Sequence, residues 1–246
     1  MLRIAIDAGH GGKNSTPGKR SPDGEYEWNF NNKVLLSFIS EIEKYENVQL
    51  LRLDDSTGIT DVSLKKRTDD ANSWNADLVI SFHHNANNGS WGNWTGTETY
   101  VHLNASSTNR NLAKEVQKGL LQAYSLQDRG VKSANFHILR ETNALSILIE
   151  GGFMDSFIDI KKLRDDSVLK KAGQKVAQIV AHQKQLKKKN DTDASKKSIN
   201  SYKVLPGDTL WSISQKHQIS VKQIMDWNNL SSHFIYVGDI LIVSKK

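Results

Sequence analysis

No cysteine occurs among the 246 residues, which excludes disulfide staples, thiolate metal sites, iron–sulfur clusters and cysteine nucleophiles together. Any metal must therefore be held by histidine and carboxylate. No stretch approaches the ~18 consecutive apolar residues of a membrane span, so an integral membrane protein is excluded and no membrane insertion is expected. No secretory leader is expected either. The opening MLRIAIDAGHGG enters an alternating apolar run at once, without a basic flank, an apolar segment and a small-residue cleavage site. Synthesis in the cytoplasm without a signal peptide is the expectation.

The net charge of +6 invites a nucleic-acid reading until it is divided along the chain. Residues 1–182 carry 22 basic and 22 acidic side chains. The excess lies in residues 183–200, with six lysines against Asp191 and Asp193, and in residues 201–246, with five lysines against three aspartates. No aromatic-studded basic face accompanies it, so nucleic acid is not an expected partner. With 24% charged and 37% hydrophobic residues, the composition is that of a globular protein.

The stretch from Lys184 to Asn200, KQLKKKNDTDASKKSIN, is too polar to bury a core and reads as a flexible linker over 183–200. Before it, Leu2–Asp7 and Asp77–His83 read as strands, each ending in a polar cluster. Val48–Leu53, Thr97–Val101, Phe136–Leu139 and Ser146–Ile149 are further strand candidates. Phe30, Val34, Phe38 and Ile42 recur at helical spacing, as do Leu112, Val116, Leu120 and Tyr124, and more loosely Leu169, Val176 and Val180. Strands alternating with helices predict an α/β fold, a mostly parallel or mixed twisted sheet with helices on both faces. Sites in such sheets lie beyond the carboxyl ends of the strands. After the linker, residues 201–246 form a second unit of strand, two short helices and strand.

Four positions in residues 1–182 suit chemistry. His10 lies in a glycine-rich turn after the first strand, Glu27 opens the first amphipathic helix, His83 ends a strand, and Glu150 ends the buried strand Ser146–Ile149. Two imidazoles and a carboxylate are a common ligand set for catalytic zinc, with a fourth position open for water. A further carboxylate nearby is what hydrolysis needs to accept and return a proton.

The motifs DAGHGG, Glu27 with Asn31, Leu64-x-x-Arg67-x-x-x-Ala71-Asn72, SFHHNA, RGVK and LIEGGFMD occur in that order. Together they resemble the zinc-dependent N-acetylmuramoyl-L-alanine amidases of the type 3 class, found in bacterial autolysins and phage endolysins. The resemblance implies a Zn2+ cofactor held by His10, Glu27 and His83, with Glu150 as catalytic acid/base. The family pattern Ser-x-His-x-Asn-Ala places His83 rather than His84 at the ligand. Strand alternation does not separate the two, since both sit at a strand terminus. Tyr202–Ser214, with Ile224–Asn228 and Val237–Val243, is similar to a LysM module. That second resemblance implies binding of N-acetylglucosamine-containing glycans, with contacts in Gly207, Asp208, Thr209 and Leu210 and in the stretch from Asn229 to Ile235.

Several residues admit more than one role. Glu25 competes with Glu27 and reads as a solvated loop carboxylate, and Glu141 as an exposed charge. Arg67 fits a substrate clamp, an internal ion pair or a loop anchor. Trp91 and Trp94 suit sugar stacking or loop packing equally, whereas Trp211 and Trp227 read as core. The expected protein is a monomeric hydrolase of bacterial peptidoglycan that acts on the wall after release, an endolysin above a mother-cell lytic enzyme. A zinc peptidase cutting within the stem peptide and a non-catalytic wall-binding protein are the alternatives.

Overall fold

A computed structural model describes residues 1–11, 20–189, 200–205, 207–228, 230, 232–236 and 238–244. The chain forms two compact units, Met1–Lys188 and Lys189–Lys246.

The first unit is built on a six-stranded sheet. Its strands are β1 (Leu2–Ala8), β2 (Val48–Arg52), β3 (Leu78–Asn85), β4 (Thr97–Val101), β5 (Asp128–Ser133) and β6 (Leu145–Phe153), in spatial order β2-β1-β3-β6-β4-β5. All neighbours run parallel except β4 against β6. The central strands are covered on both faces and so read as nearly unbroken apolar runs. Period-two alternation then sorts their side chains. Ile4, Ile6, Leu78, Ile80, Phe82, Ile147 and Ile149 enter a large core under α1 (Glu27–Ile42), α3 (Ser107–Tyr124) and α6 (Asp166–Gln183). Ala5, Val79 and Leu148 face the other way, into a small cluster under α2 (Leu64–Ser73) and α4 (His137–Arg140). A single-turn helix, α5 (Ile160–Leu163), precedes α6.

Helices α1 and α6 cross closely because position 173 is glycine. A Cβ there would lie 2.2 Å from the Val34 carbonyl oxygen.

Two elements differ from the sequence expectation. Phe136–Leu139 is not a strand: Ile138 and Leu139 enter the same small cluster, which neighbouring strand residues cannot do, and one turn of helix places them there. Strand β5 was not foreseen. It lies at the sheet edge with no fully buried residue, so it leaves no apolar run to read.

Residues 184–188, assigned to the linker on composition, belong to the first compact unit. Gln185 adopts a left-handed backbone, Leu186 packs on the large core, and the Glu46 amide donates to the Lys187 carbonyl at 2.8 Å. Residues 190–199 of the expected linker lie outside the described residues.

In the second unit, β7 (Asn200–Lys203) pairs antiparallel with β8 (Ile240–Ser244), and two helices, Leu210–His217 and Val221–Asn228, pack on them. Val204, Leu210, Ile213, Ile224, Leu241 and Val243 form its core. The Asn228 side chain donates to the Ile242 carbonyl at 3.0 Å and accepts from the Ile242 amide at 2.7 Å, pinning helix to strand. Trp211 corrects its expected place in this core. It is 68% exposed, because Leu210, Ile213 and Ser214 take the inward face of that helix. Among the described residues, no helix is long and apolar enough to cross a membrane.

Candidate active site

Strand register assembles the site at the carboxyl edge of the sheet. Asp7 of β1 pairs with Ser81 of β3, Ser81 with Leu148 of β6, and His83 with Glu150. Directly paired residues share a face, so these side chains turn toward the α2/α4 side. Because β3 continues to Asn85, both histidines lie inside the strand, and alternation sends them to opposite faces. The expectation that alternation would not separate them is therefore corrected.

His84 enters the large core. Its Nδ1 lies 2.7 Å from Asn31 Oδ1 and its Nε2 lies 3.0 Å from the Tyr124 hydroxyl, so both ring nitrogens have protein partners. Burial pushes this imidazole down to about 3. It is a neutral packing residue.

His83 instead meets Glu27 and His10. Its Nδ1 is 2.9 Å from Glu27 Oε1, and His10 Nε2 is 3.3 Å from Glu27 Oε2. The two imidazoles stand edge to face with centroids 5.0 Å apart. One ligand atom from each of the three residues falls within 4.8 Å of the others. Burial alone would lower the pKa of His83, but the Glu27 carboxylate outweighs it and raises it. Glu27 is the first residue of α1, where the helix terminus favours negative charge, and it is only 2% exposed. Asn31, one turn on, donates to Glu27 Oε1 at 3.3 Å and to the Gly9 carbonyl at 3.0 Å.

The His10 loop is held from several directions. His10 has φ 66°, the left-handed region that non-glycine residues seldom occupy. The Gly9 amide donates to Phe82, and Arg67 donates to the Ala8 carbonyl at 3.2 Å and the His10 carbonyl at 3.0 Å. The buried Arg67 also pairs with Asp7 and, at 3.0 Å, with Asp61. Of its three readings, ion pair and loop anchor hold together. Gly9 is required by space: a Cβ there would lie 2.0 Å from the His83 ring.

Two imidazoles and a carboxylate on three separate elements, converging with their backbones braced, fit a tetrahedral cation with one position open. Glu150 lines the same cleft as His10 and His83. This cleft, about 470 Å3, runs between Asp61–Arg67 and Phe136–Ile138 over a floor of Ser81 and Leu148.

On its other side Glu150 pairs with Glu98 of β4, which sequence reasoning missed. Glu98 is buried and accepts from Arg129 at 2.7 Å, the Tyr100 hydroxyl at 2.7 Å, Asn85 at 3.0 Å and Lys132. Burial opposes ionisation, but the Lys132 and Arg129 cations overcome it and hold the carboxyl below its usual range. The available signal was RGVK, whose Arg129 and Lys132 supply these cations, together with a glutamate inside a buried strand.

Glu25 bonds Arg164 at 2.7 Å, away from the ligand cluster, and Glu141 pairs with Arg140 at the surface. Trp91 stacks on Phe157 with centroids 5.3 Å apart, and Trp94 donates to Asp155 at 2.7 Å. Both pack their loop.

A family model described as N-acetylmuramoyl-L-alanine amidase matches residues 4–182, and one described as LysM domain matches residues 202–244. The chain belongs to the N-acetylmuramoyl-L-alanine amidase family. The sporulation-specific N-acetylmuramoyl-L-alanine amidase of Bacillus subtilis (strain 168) is 33% identical over 205 residues, 83% of this chain and 76% of that protein. The endolysin of Bacillus phage SPP1 is 31% identical over 197 residues, 79% of this chain and 70% of its own. Among solved structures, the catalytic domain of the amidase CwlV from Bacillus (Paenibacillus) polymyxa is similar with a TM-score of 0.68 at 29% identity, over 76% of this chain and 100% of that one. The protein is therefore an amidase of peptidoglycan, with a LysM domain at its carboxyl end.

In the amidase's LysM domain, the expected glycan contacts have mixed placements. Gly207 has φ 89°, Asp208 accepts from the Tyr202 hydroxyl and the Leu205 amide, and Thr209 caps the following helix. Leu210 is buried in the core and Ile235 packs against it, so those two side chains face inward. Asn229 lies outside the described residues. Phe234 and Tyr236, beside Ile235, are strongly exposed.

Proposed function

We propose that the amidase cleaves the bond between the lactyl group of N-acetylmuramic acid and L-alanine, with Zn2+ held by His10, Glu27 and His83 and with Glu150 moving the proton. The observation that carries this reading is the convergence of the three ligand atoms, with His10 and His83 lining the same cleft as Glu150. Bound there, zinc supplies Lewis acidity, polarising the amide carbonyl and lowering the pKa of a water toward ~7. Glu150 takes a proton from the water as its oxygen adds to the lactyl carbon. The same carboxyl returns it to the nitrogen as the C–N bond breaks, so alanine leaves as a free amine. His84 supports the choice of His83 as ligand, since both nitrogens of His84 already bond inside the core.

The division of labour follows the two compact units, Met1–Lys188 and Lys189–Lys246. The amidase unit cleaves, and the LysM domain raises the local concentration of substrate by holding glycan strands. Chelation of purified enzyme should abolish release of free N-terminal L-alanine from purified peptidoglycan, and added zinc should restore it. Full activity in thoroughly metal-free enzyme would overturn the metal mechanism. A new amino terminus other than L-alanine would mean a peptidase instead.

A further inference from the structure

We infer that Asp54 is a positioning residue: its buried carboxylate sets the separation of Glu27 and His10, the two proposed ligands that the sheet itself does not carry. The inference rests on the proposed metal reading of the site and adds the residue that keeps the ligand set assembled before an ion arrives.

The three proposed ligands differ in what holds them. His83 lies within β3, which is paired on both sides, with β1 and with β6. Glu27 and His10 have no such ladder around them. Glu27 opens α1, and Tyr26 at the N-cap makes no side-chain capping bond, so the first turn lacks its usual local brace. His10 stands two residues beyond the end of β1 in left-handed backbone, a conformation that persists only where the surroundings over-determine it. The Asn31 bond to the Gly9 carbonyl joins the two pieces on one flank of α1.

Asp54 joins them on the next flank. The Leu53 amide donates to the Ile6 carbonyl at 2.9 Å, which lays the end of β2 beside the end of β1. From there Asp54 Oδ1 accepts from the Ala8 amide at 3.2 Å, two residues before His10. Its Oδ2 accepts at 2.9 Å from Nε1 of Trp28, the residue after Glu27. Arg52 takes the remaining acceptor sites, donating from Nε at 2.9 Å and from Nη2 at 2.7 Å. The same Nη2 donates to Asn32 Oδ1 at 2.7 Å, and Trp28 and Asn32 lie one turn apart on α1. The loop after Asp54 closes over the indole: a Cβ at Gly58, whose φ is 70°, would lie 2.6 Å from the Trp28 ring.

The chemistry of this carboxylate suits geometry better than stability. Its side chain is fully buried, with four donors on two oxygens. A buried ion pair contributes little over well-packed apolar side chains, so stability alone does not account for it. A carboxylate is rigid and planar, however, and its two oxygens are fixed relative to each other. Committing one oxygen to the His10 side and the other to the Glu27 side fixes the spacing of those two pieces. Ligands already spaced lose less freedom when the ion binds, which strengthens binding without any contact to it.

The test uses the full-length chain and Zn2+ affinity measured by competition with a chelator. Asp54→Asn places an amide N–H2 against one of the two donors and should weaken Zn2+ binding by about 10–100-fold. Trp28→Phe removes one donor and no charge, so its smaller loss cannot come from the missing negative charge of Asp54. Added to Asp54→Asn it should weaken binding little further, since both break the same bond. Val116→Ala truncates the core on α3, which carries no proposed ligand, and should keep wild-type affinity while losing stability. A second readout uses metal-free protein and the histidine ring signals in nuclear magnetic resonance: Asp54→Asn should broaden those of His10 and spare those of His83. Trp28→Phe carries both tests should Asp54→Asn not fold. Wild type that takes up no Zn2+ would sink the metal reading, while the contrast between the two rings would still decide the brace. Equal loss of affinity in Asp54→Asn and Val116→Ala, or equal broadening of both rings, would reduce Asp54 to general scaffold and overturn the inference.

Discussion

The two faces of the central sheet make an instructive contrast. One face carries three long helices and the large apolar core; the other carries α2, one turn of α4 and a small cluster. On the thickly covered face the histidine His84 is turned into packing. The thinly covered face leaves about 470 Å3 open, and the adjacent histidine of the same strand reaches a carboxylate and a second imidazole. One step along β3 thus converts an inert side chain into a reactive one. Coverage, rather than residue type, decides which becomes which.

The strongest way to break this contrast is to exchange the roles of the faces by mutation. His83→Ala should strip the metal and with it activity, whereas Glu150→Ala should keep the metal and lose about 10²–10⁴-fold in turnover. His84→Ala should show the reverse pattern of His83→Ala. It should retain metal by elemental analysis yet lose stability, at about 1–3 kcal/mol for each polar partner left buried and unsatisfied. Metal loss in His84→Ala alone would reverse the assignment of the two rings.

Acid sharpens the same distinction. Native His84 stays neutral down to about 3, while an unfolded histidine takes up its proton near 6.5. The unfolded state therefore binds more protons below that point. The stability tied to this group is complete above pH 6.5 and declines as pH falls toward 3, by about 1.4 kcal/mol per pH unit. His84→Gln should flatten that segment of the urea midpoint against pH. Metal-free protein should be used, so that acid release of the ion does not contribute.

Smaller effects should separate the faces as scaffolds. Gly173→Ala, at the α1–α6 crossing, should cost about 1–3 kcal/mol, because the new methyl group meets backbone rather than a movable side chain. Leu64→Ala on the thin face should change stability by no more than ~0.5 kcal/mol, measured by the same unfolding titration.

Much of this arrangement was legible in the sequence because it is periodic. Phe30, Val34, Phe38 and Ile42 announced α1, and the run Leu2–Asp7 announced a buried strand. What escaped depends on neighbours distant in the chain. The peptide FHIL suits a strand or a turn of helix until Ile138 and Leu139 are seen to share one cluster. Glu98 gains its meaning only when β5 brings Arg129 and Lys132 beside it. Trp211 looked like core because tryptophan usually is, yet the phase of its helix points it outward. The ordered motifs named His10, Glu27, His83 and Glu150. Register between β3 and β6, which no local pattern displays, brings the last two together.

Arg67 ties the His10 loop to the dynamics of α2. It sits on α2 and donates to the carbonyls of Ala8 and His10. Any fluctuation that undocks α2 withdraws those donors and releases the left-handed turn that aims His10. Ion release and exposure of the α2 amides then become one opening event. Hydrogen exchange along Leu64–Ser73 should slow when the ion is bound, by the factor that binding protects the closed state. If the proposed ion is held there, its residence time is in this sense a property of α2, a helix that supplies none of the proposed ligands.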